Sequence, residues 1–267
     1  MPVSQTEKGE RFRALHERPG TFVIPNPWDA GTARILTHLG FEALTTTSAG
    51  LAFTLGKRDG TGAVTLEETL ANARAIVEAT DLPVAAETIR LAGEVAGLVG
   101  GSIEDSTRDP RRPIYDFEHA VERVAAAAEA ARALPSPFVF VARAENFLHG
   151  LPDLDDTIRR LQAFEDAGAD VLYAPGLVRP EEVRAVCASV RKPVNVLMGL
   201  VRTDNRPLSV EELGALGVRR ISLGGALSRA ALGAFVRAAR ELREHGTCAF
   251  AAEALPSAEA NRLMAEA

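Results

Sequence analysis

Residues 138–173 read FVFVARAENFLHGLPDLDDTIRRLQAFEDAGADVLY. An apolar run, Phe138–Val141, leads into a polar loop and then a segment with helical spacing over Asp155–Ala167. Gly168 stops that helix, and a second apolar run, Val171–Tyr173, follows. Strand, crossover helix and strand in this order form a βαβ unit, whose two strands lie parallel. The alternation continues in both directions. Upstream, Phe22–Pro25, Ala43–Thr47, Leu82–Ala85 and Leu98–Ile103 read as strands; downstream, Val194–Leu197 and Arg220–Leu223 do. Helical patterns fill the intervals: Ala30–Leu39 stopping at Gly40, Leu66–Thr80, Ala86–Val95, Phe117–Leu134, Pro180–Val190, Val210–Leu216 and a last helix to His245. Thr65 with Glu68 and Ser209 with Glu212 have capping-box spacing, and Asp116 is placed to cap the Ala-rich helix Phe117–Leu134.

Eight such units within about 225 residues point to a closed (β/α)8 barrel. An open doubly wound sheet is the alternative, but it usually carries a Gly-rich fingerprint after its first strand. Here the first turn is Asn26-Pro27-Trp28-Asp29. Residues 1–267 are therefore expected to form one barrel domain, with residues 250–267 as an extra C-terminal helix outside it. One interval is short. Leu82 to Leu98 spans 16 residues, where the others run from about 21 to about 39. A whole crossover of about 10–12 residues is close to the minimum, so the third βα unit is shortened and has almost no loop on its catalytic side.

The 30 Lys and Arg residues against 36 Asp and Glu give a formal net charge of -6, which argues against a nucleic-acid surface. A 46% hydrophobic and 25% charged composition is that of a globular domain. The apolar runs are too short to cross a bilayer. The first twenty residues hold no apolar signal region, so a cytoplasmic location is expected. The two cysteines, Cys187 and Cys248, then read as reduced thiols.

In a (β/α)8 barrel the chemistry sits at the carboxyl ends of the strands. Those ends carry Asp29, Thr46-Thr47-Ser48, Glu104-Asp105, Arg143 with Glu145 and Asn146, Tyr173, Asn195 and Gly224-Gly225. Glu104 ends an apolar run, where an acid must be paired or bind a metal. With no Cys/His cluster nearby, that metal would be Mg²⁺; a cap or salt bridge is the structural alternative. Arg143 ends an almost wholly apolar strand, where a guanidinium fits a carboxylate bidentately, either a ligand's or that of Glu104 or Glu145. Ser48-Ala49-Gly50 offers a hydroxyl and successive backbone amides to an anion, or is simply a turn. Gly224-Gly225 could hold a phosphate or let the last strand close the barrel. His149, the acids Asp153, Asp155 and Asp156, the arginines Arg108, Arg111 and Arg112, and Cys187 read as surface, helix-start or core residues.

Six ordered motifs resemble the phosphoenolpyruvate mutase/isocitrate lyase superfamily over about residues 15–245. They are Asn26-Pro27-Trp28-Asp29-Ala30-Gly31, Thr45-Thr46-Thr47-Ser48-Ala49-Gly50, Leu55-Gly56-Lys57-Arg58-Asp59-Gly60, Gly100-Gly101-Ser102-Ile103-Glu104-Asp105, Ala142-Arg143-Ala144-Glu145-Asn146-Phe147 and Ala167-Gly168-Ala169-Asp170. The resemblance implies a Mg²⁺-dependent enzyme that makes or breaks a bond beside a 2-oxo acid carbon through an enolate. It implies that Thr46, Ser48, Ala49 and Gly50 bind the substrate's carboxylate and 2-oxo group. Arg143 would clamp the substrate, Asn195 would reach its far carboxylate, and Asp59 on a gating loop and Glu104 would act on the metal through water. It also implies a homodimer or homotetramer in which the C-terminal helix is exchanged between barrels.

Two departures narrow the reading. Isocitrate and methylisocitrate lyases carry a Lys-Lys-Cys-Gly-His loop after the fourth strand, where this chain has Ser106-Thr107-Arg108-Asp109-Pro110-Arg111-Arg112. The family's acidic motif at the end of the third strand, whose first acid ligates the metal, is missing: Leu82-Pro83-Val84-Ala85 runs directly into Ala86-Glu87-Thr88. The expected function is therefore C–C lyase chemistry of the oxaloacetate decarboxylase kind on a small 2-oxo or 2-hydroxy (di)carboxylate. C–P chemistry as in phosphonopyruvate hydrolase or phosphoenolpyruvate mutase, and a catalytically silent binding or scaffold protein, are the alternatives.

Overall fold

The computed structural model describes residues 3–87, 95, 97–107, 109–200 and 206–265. Eight short strands form the barrel: β1 (Phe22–Ile24), β2 (Leu44–Thr45), β3 (Val84–Ala86), β4 (Leu98–Glu104), β5 (Val139–Arg143), β6 (Val171–Tyr173), β7 (Val194–Leu197) and β8 (Arg220–Ser222). All are parallel, in the order β1-β8-β7-β6-β5-β4-β3-β2. The ring closes between β1 and β2, where the Thr45 amide donates to the Pro25 carbonyl at 3.0 Å. Buried Asn26 ties this seam on both sides. Its Nδ2 donates to the Thr46 carbonyl at 2.8 Å, and its Oδ1 accepts from the amides of Leu223 at 2.9 Å and Gly224 at 2.8 Å. Gly224 has φ +53°, so its role here is barrel closure.

The helices are α1 (Gln5–Glu17), α2 (Ala30–His38), α3 (Ser48–Thr54), α4 (Leu66–Glu78), α5 (Phe117–Arg132), α6 (Leu154–Asp166), α7 (Pro180–Ser189), α8 (Val210–Ala215), α9 (Ala226–His245) and α10 (Ser257–Met264). Both expected capping boxes form, at Thr65/Glu68 and Ser209/Glu212. Asp116 stands at the start of α5 but makes no capping bond; its carboxylate pairs with Arg112 instead. No helix among the described residues is long and apolar enough to cross a membrane. Both thiols are free, Cys187 half-buried and Cys248 exposed.

Two expectations need correction. Ala86 does not begin a helix. It is the last residue of β3, paired with Gly101 of β4, and Glu87 follows it directly. The remainder of that expected helix, 88–94, lies outside the described residues. The expected helix over Phe250–Ala265 is two pieces, a 3-10 turn at Ala249–Ala252 and α10, because Pro256 cannot continue a helix. The tail also covers part of its own barrel. Leu263 is buried, Arg34 Nη1 donates to the Met264 carbonyl at 2.8 Å, and His38 lies 3.2 Å from the Ala265 carbonyl.

Side-chain parity sets what faces the barrel interior. Phe22, Ile24, Ala43, Ala85, Val139, Val141, Val171 and Tyr173 form one buried cluster together with Phe12 and Leu15 of α1, which plugs the amino-terminal end. The alternate residues Phe140, Ala142, Leu172, Val194, Val196 and Ile221 pack outward against the helices. β4 breaks its own alternation. The register of β3 on β4 shifts between Val84 and Ala85, so that Val84 pairs with Leu98 but Ala85 with Gly100. Leu98 faces outward, and Glu104, six residues on, would share that face in a regular strand. The bulge reverses the phase and sets Glu104 beside Arg143 of β5.

The bulge requires Gly100. A Cβ there would lie 2.7 Å from Phe12 Cε1 and 3.1 Å from the Val139 carbonyl oxygen. Gly100→Ala is expected to cost about 1–3 kcal/mol by overpacking. Phe12→Leu in the same chain should return part of that loss, as read from chemical denaturation midpoints.

Candidate active site

The parity that points Val139 and Val141 inward carries Arg143, two residues further on, to the barrel mouth. Its Nε and Nη2 both lie 2.7 Å from Glu145 Oε1, and its Nη1 lies 3.8 Å from Glu104 Oε2. Its guanidinium carbon sits 5.0 Å from the centre of the Tyr173 ring, a cation–π contact made by β6. Burial works against the guanidinium, but Glu145, Tyr173, Glu104 and Glu87 outweigh it and hold the charge firmly. Burial pushes the Glu145 carboxyl up to about 7 against the pull of Arg143. The burial of Tyr173 pushes its phenol up to about 12, so it stays neutral. Arg143 therefore meets both carboxylates that the sequence offered as its partners.

A buried network fixes the turn that carries Glu145. The Glu145 amide donates to Asp105 Oδ1 at 2.8 Å, and Arg160 Nη1 of α6 reaches Asp105 Oδ2 at 3.1 Å. Arg160 Nε donates to Asp156 Oδ2 at 2.7 Å, and that oxygen also accepts from Asn146 Nδ2 at 2.9 Å. Burial raises the Asp105 carboxyl, opposed by the Glu145 amide and Arg160. Arg160 supports the turn that carries Glu145, and sequence reasoning missed it. Its signal was available: it adjoins Leu161 on the buried stripe of α6 and stands four residues after Asp156.

The segment Ser48-Ala49-Gly50 is the first turn of α3, not a loop. Thr47 caps it, its Oγ1 accepting from the Gly50 amide at 3.3 Å. Gly50 is required for close packing, since a Cβ would come within 2.7 Å of both Thr47 Cγ2 and Trp28 Cβ. The Ser48 amide donates to Glu87 Oε2 at 2.6 Å. Thr46 accepts the Glu87 amide at 3.2 Å through its hydroxyl, and Ser102 donates to the Glu87 carbonyl at 2.6 Å. Glu87 is thus clamped between β2 and β4 on the inward parity of Ala85. The helix reading over Ala86–Val95 hid it. Burial raises its carboxyl, against Arg143 and the Ser48 amide.

The structure therefore joins Thr46, Ser48, Glu104 and Arg143 into one mouth and adds Glu87, Glu145 and Tyr173. Asn195 faces the interior below it. Its Nδ2 donates to Ser222 Oγ at 3.0 Å, while its buried Oδ1 has no hydrogen-bond partner among the described residues. Asp59 is exposed on the α3–α4 loop, and His149 is exposed as well. Arg111 is exposed beside Asp109, and Arg108 lies outside the described residues. Cys187 is a core-side thiol that burial pushes up to about 11.

The implied Mg²⁺ is a test of these donors. Among the described residues no three acid, His or Cys side chains converge on a point that could hold a metal ion. Glu145 is engaged by Arg143 and Glu87 by the Ser48 amide, and the expected water-mediated ligand Asp59 points from an exposed loop. Mg²⁺ keeps several waters but needs at least one or two carboxylates free to hold it, and those of the mouth are turned to Arg143 or to an amide. The donor set present does not fit a Mg²⁺ site of that kind.

Comparison with known proteins places the chain. A family model described as phosphoenolpyruvate phosphomutase matches residues 12–243. A crystal structure from Burkholderia cenocepacia J2315, described provisionally as a lyase/mutase, is 54% identical with a TM-score of 0.92, covering 98% of this chain and 96% of that one. An oxaloacetate decarboxylase from Bradyrhizobium diazoefficiens is 30% identical over 277 residues, covering 97% of this chain and 93% of the relative. A crystal structure of 2,3-dimethylmalate lyase is 27% identical with a TM-score of 0.82, covering 97% of this chain and 95% of that one.

The perturbed Glu145 has a measurable consequence. Its carboxyl titrates near 7 in the fold and at its ordinary 4.5 when unfolded. Between those values the folded chain holds a proton that the unfolded chain has lost, so stability falls as pH rises from 4.5 to 7. Glu145→Gln should remove this part of the slope, as read from urea midpoints at pH 5 and 7.5.

Proposed function

The chain belongs to the phosphoenolpyruvate phosphomutase family, and from that premise we propose that it is a carbon–carbon lyase acting on a small 2-oxo or 2-hydroxy mono- or dicarboxylate, with chemistry of the oxaloacetate decarboxylase kind. The observation that carries the reading is the guanidinium of Arg143, held inward at the mouth of the barrel by Glu145 and laid over Tyr173. A cation kept at the end of an apolar strand needs an anion, and Glu145 occupies only its Nε and Nη2 side. The Nη1 side, toward Glu104, is where a ligand carboxylate would dock. The wall opposite is α3, and Asn195 Oδ1 is the buried acceptor below. The roles proposed here rest on the chain's own groups: Arg143 binds and orients, Glu145 positions Arg143, and Tyr173 supports the guanidinium face.

A second reading has its own support. The engaged donors at the mouth suit a chain that binds a carboxylate without turning it over. Pyruvate release from oxaloacetate and calorimetric titration with oxalate, with and without Mg²⁺, separate the two. Arg143→Ala is expected to weaken oxalate binding about 100-fold, the effect of two charge-assisted hydrogen bonds, and to abolish turnover. Arg143→Lys should restore little, because an ammonium cannot reproduce the planar fork. Lost stability of about 3–5 kcal/mol with unchanged oxalate binding would sink the lyase reading and leave Arg143 as a purely structural partner of Glu145.

We also propose that the chain forms a homodimer or homotetramer, with the exposed apolar face of α9 as part of the contact between copies. Ser228 is the buried residue of this 20-residue helix, while Leu232, Phe235, Val236 and Leu242 lie exposed along it. Phe235 is 70% exposed, an arrangement that a second copy of the chain would cover. Phe235→Glu should shift sedimentation toward the monomer; an unchanged profile would count against assembly through α9.

A further inference from the structure

The donors of α3 are already occupied from within the chain, and the occupant is a carboxylate. Glu87 Oε2 lies 2.6 Å from the Ser48 amide, while the Gly50 amide is turned to Thr47. Both backbone groups of Glu87 are held, by Thr46 and Ser102, so its side chain has a short reach and a fixed origin at the end of β3. An N–H donates well to one acceptor at a time. A ligand carboxylate cannot take the Ser48 amide unless Glu87 leaves it, and a displaced Glu87 stays in the mouth with Glu104 and Glu145.

We propose that Glu87 is a specificity-determining residue, an internal competitor that occupies the Ser48 amide and sets the charge of the ligand the mouth accepts. It acts first by occupancy and then by repulsion. A monoanion held by Arg143 alone can leave Glu87 in place. A dianion that spans Arg143 and α3 must displace it and then face it across the low-dielectric mouth, where like charges repel strongly. The competition falls hardest on compact dicarboxylates and least on 2-oxo monocarboxylates. This inference rests on the carboxylate-binding reading above, in which Arg143 holds the ligand.

The test is calorimetric titration of wild type, Glu87→Gln, Glu87→Ala and Arg143→Ala with oxalate and, separately, with pyruvate, in chelator at constant pH. Oxalate is expected to bind Glu87→Gln about tenfold tighter than wild type, the difference between displacing a charge-assisted and a neutral hydrogen bond. Pyruvate should change less than threefold, roughly the scale of one weak surface charge contact. Glu87→Ala should match or exceed the gain of Glu87→Gln. A direct check needs no mutant: in wild type, saturating oxalate should shift the Ser48 amide proton and the Glu87 side-chain carboxyl carbon in NMR spectra together. If oxalate binds and both resonances stay put, Glu87 is not displaced and the proposal fails. Equal oxalate affinity in wild type and both Glu87 variants, with Arg143→Ala still crippled, would overturn the competitor role and leave the carboxylate site standing. Oxalate binding that survives Arg143→Ala would remove the underlying reading and this inference with it.

Discussion

A guanidinium taken out of water must be met by anions, and the mouth of this barrel is built around that requirement at Arg143. β5 delivers the side chain inward by simple alternation. What keeps it there is Glu145, and Glu145 is placed by a buried chain of contacts running through Asp105, Arg160, Asp156 and Asn146. β4 must then present Glu104 on the same side, which a regular strand starting from Leu98 would not do. The bulge opposite Ala85, made possible by Gly100 and the Phe12 ring of α1, supplies that half-turn of phase. A helix at the amino-terminal end of the barrel thereby helps decide which carboxylate meets the cation at the other end.

The barrel was legible because alternation of apolar runs and helical periodicity is a local signal repeated eight times. Thr65, Glu68, Ser209 and Glu212 confirm how far local capping chemistry reaches. Arg143 and Glu104 were legible for a related reason, as charges that end apolar strands. Glu87 was not. Parity from Ala85 assigns it to the interior, but the short third interval and the Ala- and Glu-rich stretch after it favour a helix by propensity. Pairing of Ala86 with Gly101 is a long-range fact, and it overrides the local preference. The bulge in β4 was invisible for the same reason, since register shifts are settled between strands rather than along one.

Helix packing shows the same division. α3 was hidden because Ser48-Ala49-Gly50 reads equally well as a turn or as a helix start. The structure decides for a helix because Thr47 caps it and because Gly50 lets it approach Trp28 closely. Arg160 was hidden among the charges of α6. A charged residue on a buried stripe is ordinarily a reason to doubt the stripe. Here it is a cation with two acids, Asp105 and Asp156, waiting for it from different elements.

The shortened third unit changes how the interior balances its charge. The acid that faces the mouth from β3 directly follows the strand end with its backbone held, so it stays among Arg143, Glu104 and α3 even when its carboxylate leaves the Ser48 amide. Three carboxylates, Glu87, Glu104 and Glu145, then surround one guanidinium. Deeper in the barrel Arg220 points inward from β8, buried, with no hydrogen-bond partner for Nε or Nη1 among the described residues and the Phe12 ring 5.7 Å away. Burial pushes Arg220 down only to about 10, so it remains charged. Burial, with Arg220 as a secondary cause, drives neighbouring His16 to about 3, so His16 is neutral and adds no charge of its own. The interior thus sets two guanidiniums against three carboxylates, one of which titrates near 7. Burial is the main influence on Arg220, and among the described residues no acceptor meets its Nε or Nη1. The mouth and the floor of the interior are therefore separate charge problems: Arg143 is met by acids at its own end of the barrel, whereas Arg220 keeps its charge because a guanidinium's ordinary value lies high enough to absorb the cost of burial.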